Sequence, residues 1–74
     1  MLSFQIKDAD TINIICDAEG MSVLLAALAK LVGERASHVH LRGGNGNADL
    51  DLKTPFGEDA VSEVVIDYAE HGAS

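Results

Sequence analysis

The stretch His38 to Lys53, HVHLRGGNGNADLDLK, decides the fold. Val39 and Leu41 alternate with His38, His40 and Arg42, and after the glycines Leu50 and Leu52 alternate with Asp49, Asp51 and Lys53, the pattern of half-buried strands. Between them, Asn45-Gly46 suits a two-residue type I′ hairpin turn, whose central residues both need positive φ. Such a turn sets Gly44 opposite Asn47. Counting outward then pairs Arg42 with Asp49, Leu41 with Leu50, His40 with Asp51, Val39 with Leu52 and His38 with Lys53. Turn chemistry and hydrophobic pattern choose this register independently.

Upstream, the period changes. From Asp17 onward Met21, Leu24, Leu25, Leu28, Leu31 and Val32 fall at helical spacing, with Ala26, Ala27, Ala29 and Lys30 elsewhere on the cylinder. This predicts a helix that buries its Met and Leu stripe. Asp17 or Glu19 places negative charge near its start, and Gly33 stands where a left-handed C-cap is wanted. Before the helix, Leu2, Phe4 and Ile6 alternate with Ser3, Gln5 and Lys7, and a second strand runs from Thr11 to Cys16. Asp8-Ala9-Asp10 is turn chemistry, so these residues predict a hairpin with Ile12, Ile14 and Cys16 facing the core.

Downstream, Thr54 to Asp59, with Pro55 and Gly57, reads as a connecting loop. Residues 60 to 69 admit two readings. Val61, Val64, Val65 and Tyr68 match a helix face that His71-Gly72 would end. The β-branched run Val64-Val65-Ile66 favours a strand with Ser62, Val64, Ile66 and Tyr68 on its core face. The expected fold is therefore a single α+β domain, residues 1 to 74. An antiparallel sheet of four to five strands carries one helix on one face, in the order ββαβββ with ββαββα as the alternative.

Composition narrows the function. A 74-residue chain with 47% apolar and 23% charged residues builds one small core, filled mainly by Leu, Val, Ile and Ala. Twelve acids against five bases give a net charge of −7, which repels a phosphate backbone or an anionic membrane and matches a basic protein partner. One cysteine, Cys16, excludes an internal disulfide and a multi-cysteine zinc site, and reads as a small buried hydrophobe. With no signal-peptide pattern and no membrane-length apolar run, a cytoplasmic location is expected.

The polar face of the 38–53 hairpin holds the candidate site. His38 and His40 share one strand face, and Asp51 opposite His40 offers a third metal ligand, although Lys53 opposite His38 opposes a cation. His40 with Asp51 resembles an oriented base, but Ser37 and Cys16, the available nucleophiles, are expected on the core side. Gly43-Gly44-Asn45-Gly46 opens no helix and matches no phosphate-loop pattern. No catalytic, cofactor or metal site is assigned. Complementary pairs such as Arg42 with Asp49 help register alone, yet Ile15, and Val61 and Val65 if the last segment is a strand, point to the same uncovered side. Charge mixed with exposed aliphatic residues suits a protein-binding surface, formed by His38, His40, Arg42, Asp49 and Asp51.

Four blocks carry a family resemblance: Asp17-Ala18-Glu19-Gly20 leading into the helix, His38-Val39-His40-Leu41, the glycine stretch Gly43 to Gly46, and the terminal segment around Val64 to Tyr68. In order and spacing the chain resembles the small bacterial immunity proteins of polymorphic toxin systems, immunity protein family thirty-two. The resemblance implies a non-enzymatic protein that occludes a toxin domain, with a basic toxin as partner. The runner-up is a self-associating structural or regulatory module, pairing by a sheet face or strand edge as a homodimer. A metal-binding protein using His38 and His40 comes third.

Overall fold

A computed structural model of the chain describes residues 1–33 and 37–69. Its elements are β1 (Leu2–Asp8), β2 (Thr11–Cys16), α1 (Ala18–Gly33), β3 (His38–Gly44), β4 (Asn47–Ala48) and β5 (Glu63–Asp67). The α+β class and the ββαβββ order are those expected, and the last segment is a strand. His71 and Gly72 lie outside the described residues. The strands form two sheets instead of one, β1-β2 and β4-β3-β5, all antiparallel. No helix among the described residues is long and apolar enough to cross a membrane.

The Asn45-Gly46 turn forms as its chemistry requires, with φ of 51° and 86°, and Gly44 pairs with Asn47. The ladder then stops after Gly43 and Ala48. The Asp49 carboxylate takes the Arg42 main-chain N–H at 3.3 Å, while the Leu50 N–H donates to the Arg42 carbonyl at 3.1 Å. Leu50 is drawn into the core, and the Asp51 N–H crosses to the Leu2 carbonyl at 2.9 Å. The expected pairs from Arg42–Asp49 out to His38–Lys53 therefore do not form a ladder. Strand β3 uses its other edge, setting His38 opposite Asp67, Val39 opposite Ile66, His40 opposite Val65, Leu41 opposite Val64 and Arg42 opposite Glu63. Lys53 pairs instead with Asp59.

Helix α1 begins on an Asp17 N-cap, whose Oδ1 accepts the Gly20 N–H at 2.8 Å. Gly33 is the last helical residue and lacks the positive φ of a left-handed cap. The buried face differs from the expected stripe. Gly20, Ala27 and Leu31 are buried and Val23 and Leu24 half-buried, whereas Met21, Leu25, Leu28 and Val32 are exposed. Close approach explains the choice: Gly20, with no side chain, lets the start of the helix settle against Met1 and Leu2, Ala27 joins the core with Leu2, Phe4, Leu41 and Leu50, and the large residues are displaced to the flank.

The core gathers Leu2, Phe4, Ala27, Leu41 and Leu50, with Cys16, Val61, Val64 and Ile66 packed against it. Val61 thus faces the core, not the uncovered side, while Val65 is exposed as expected. Ser3 and Gln5, expected in solvent, are buried where residues 51–62 fold back along β1; the Ser3 hydroxyl donates to the Lys53 carbonyl at 3.2 Å and the Val61 N–H to Phe4 O at 2.9 Å. Ile12 and Ile14 share a sheet face with Leu2 and Phe4, but α1 leaves them exposed, together with Ile6. Tyr68 is also exposed.

Candidate functional site

Alternation along β3 puts Val39 and Leu41 on the core face and His38, His40 and Arg42 on the outer one. On β5 the same rule sends Val64 and Ile66 inward and Glu63, Val65 and Asp67 outward. The pairing of these strands builds an open, polar outer face.

Glu63 is its centre. One carboxylate oxygen, Oε2, accepts the Arg42 Nε–H at 2.8 Å and lies 2.9 Å from His40 Nδ1. The Arg42 guanidinium, and after it His40, hold the Glu63 carboxyl below the usual carboxylate range, because both hydrogen bonds favour its charged form. The His38 and His40 rings meet edge to face, with centroids 4.9 Å apart. Asp67 stands opposite His38 in the ladder. Ser37, expected on the core side, is exposed, and its hydroxyl oxygen lies 3.1 Å from His38 Nδ1.

The five sequence-derived candidates are therefore divided. His38, His40 and Arg42 come together on the outer face, but with Glu63 and Asp67 as acidic counterparts. Asp49 and Asp51 line shallow clefts beside α1 of about 250 and 270 Å³, where Asp49 stays next to Arg42, whose main-chain N–H it accepts, and shares the smaller cleft with His40. The larger of these also meets Glu19, Gly20 and Val23, and the smaller meets Ala26 and Lys30. Glu63 escaped sequence reasoning because it pairs with β3 from 21 residues away. Its signal was the strand phase itself: if Val64 and Ile66 face the core, Glu63 must face out.

Chemically, the outer face offers an imidazole oriented by a carboxylate, a guanidinium and a second imidazole on an unenclosed sheet surface. Such a display can recognise a partner by charge and hydrogen bonding. Asp51, the expected third ligand for a metal, stands away from His40, and no three His, Cys, Asp or Glu side chains converge as a metal site among the described residues.

A second surface is apolar. Met21, Leu25, Leu28 and Val32 on α1 and Ile6, Ile12 and Ile14 on the first hairpin are between 40% and 78% exposed. A scatter of single exposed aliphatics is ordinary, but residues spaced four, three and four apart along one helix form a continuous stripe.

The chain matches no family model, no curated protein and no solved structure in comparisons with known proteins.

Proposed function

We propose that this protein acts by binding another protein, as a cytoplasmic, non-enzymatic immunity protein that occludes a toxin domain. The observation that carries the binding role is the exposed apolar stripe of α1. A 74-residue chain has little core to spare, yet it leaves Met21, Leu25, Leu28 and Val32 in water. Apolar surface of this kind, bordered by charged faces, is the composition of a protein interface.

The net charge of −7 supports a basic partner, since complementary charge accelerates encounter and disfavours acidic competitors. The outer face of β3 and β5 supplies directional groups for recognition, with His40 and Arg42 held in place by Glu63. The immunity role itself rests on the family resemblance of the sequence.

The test uses the tagged chain as bait in the cells that make it, at low and high salt, with Arg42→Ala and Asp51→Asn beside the unaltered protein. Capture of a basic toxin domain, weakened by salt and by at least one substitution, is expected. A captured toxin whose binding ignores both salt and substitution refutes the electrostatic reading, and absence of any toxin refutes the immunity role.

A further inference from the structure

Two features left over from the fold lie side by side. The first is the outer edge of β2. Strand β1 receives β2 on one edge and the N–H groups of Asp51 and Val61 on the other, so β2 ends its sheet with no further strand paired to it among the described residues. Its sequence, Thr11-Ile12-Asn13-Ile14-Ile15-Cys16, has no charge and no proline, the usual protections of an exposed edge.

The second is the exposed stripe of α1. At about 100° per residue, Met21, Leu25, Leu28 and Val32 centre nearly a third of a turn from the buried face. The opposite flank, with Glu19, Ala26 and Lys30, faces the clefts shared with Asp49 and Asp51. Those residues lie on the far edge of β1 from β2, as the Asp51 bond to Leu2 shows. The apolar flank is therefore turned to the β2 side, the side on which Ile12 and Ile14 stay exposed.

We propose that the free edge of β2 and this flank of α1 form a homodimer interface, with the two β2 strands antiparallel across a two-fold axis. This rests on the reading of the chain as a binding protein, but gives its apolar surface to a second copy, so that a toxin would use the polar outer face of β3 and β5. Two chains of −7 repel, so they meet most closely where acids are fewest: Thr11 to Cys16 carries none, with Asp10 and Asp17 at its two ends. Self-pairing of β5 about Val65 would instead oppose the carboxylates of Glu63 and Asp67 from the two copies. A basic partner, conversely, finds no carboxylate on β2 to match.

Geometry agrees. A β2 pairing centred on Asn13 aligns Ile12 of one copy with Ile14 of the other on the same face, bringing the two α1 flanks together above a four-stranded sheet. The seven exposed aliphatic residues offer roughly 250–500 Å² of apolar area per copy, taking about 60–120 Å² for each fully exposed side chain. Since apolar area is about 60% of an interface, each copy would bury roughly 400–800 Å², which spans the range from weak to standard-size complexes. The dimer leaves the outer face of β3 and β5 free for a different partner.

Sedimentation equilibrium from low micromolar to submillimolar chain tests this. The expected result is a species of twice the 7.8 kDa chain mass. Ile12→Lys and Leu25→Glu, both at exposed positions, should each raise the dissociation constant tenfold or more with unchanged circular dichroism, while Val65→Thr on the outer face should not. A chain that stays monomeric, or a dimer indifferent to both interface substitutions, overturns the proposal. A photo-crosslinking amino acid at position 28, in the producing cells, separates the two readings. Linkage between two copies supports the homodimer; linkage only to another protein overturns it but keeps the binding role; linkage to nothing removes both.

Discussion

Replacing Gly20 by alanine tests how closely α1 approaches β1. By helix propensity alone the change should stabilise, since Ala is favoured over Gly by about 0.8–1.0 kcal/mol in a helix interior, and by less in the first turn. The tertiary structure reverses the sign. A β-carbon at Gly20 would lie 1.8 Å from the Met1 carbonyl oxygen and 2.5 Å from its carbon, backbone atoms that cannot rotate away. Helix and strand would have to part by more than an ångström to restore ordinary contact. Overpacking of that kind costs about 1–3 kcal/mol. The Asp17 N–H bond to the same Met1 oxygen, 3.1 Å long, would be strained or lost, adding about 1 kcal/mol. Subtracting the propensity gain leaves a net loss of roughly 1–3 kcal/mol, or about 5–20 °C in melting temperature for a domain of this size. Thermal and urea melts followed by circular dichroism measure it. Gly33→Ala is the control: a β-carbon there meets nothing within 4 Å among the described residues, so the variant should match the unaltered protein or exceed it slightly. If Gly20→Ala melts at or above the unaltered protein, the close approach of α1 to the start of β1 is wrong.

Glu63→Gln probes the outer face by pH. The Glu63 carboxyl is depressed in the fold by Arg42 first and His40 second, so its contribution is present above the ordinary carboxylate range and disappears as pH falls through the depressed value. The variant should therefore melt lower than the unaltered protein at neutral pH, and the gap should close below about pH 4. A gap that is constant with pH removes Glu63 as the ionic centre of that face. Gly46→Ala tests the turn: at φ of 86° a β-carbon meets the left-handed penalty, and a loss of about 1 kcal/mol in urea unfolding is expected. Asn45→Gly, at φ of 51°, should be tolerated within a few tenths of that, and equal stability of the unaltered protein and Gly46→Ala would contradict the type I′ geometry.

Local chemistry was legible from the chain. Asn45-Gly46 specifies its own turn because only residues tolerant of positive φ can occupy both central positions. Asp17 caps α1 because its carboxylate reaches a free N–H three residues on. The β-branched run at Val64 to Ile66 extends because such side chains crowd a helix turn and suit a pleated surface. Each of these depends on residues within a few positions of one another.

Partnership between distant segments was not legible in the same way. A hydrophobic period says that a strand has a core face, not which strand lies beside it, and β3 has two edges. The 38–53 pattern is satisfied equally by a long β3–β4 ladder and by the observed arrangement, in which Leu50 turns into the core and β5 takes over the pairing. That exchange moved the acidic partner of His40 and Arg42 from Asp51 and Asp49 to Glu63.

The sequence by itself determined the order of elements, the hairpin turn, the helix and the acidic charge, because these follow from short-range sterics and composition. Only the tertiary structure decided which face of α1 is buried and which acid meets the histidines. Periodicity ranks positions by hydrophobicity, whereas packing ranks them by fit. Gly20 allowed the closest approach to the start of β1 and Ala27 packed into the core, so the larger Met21, Leu25, Leu28 and Val32 were turned outward to the flank that a partner can cover.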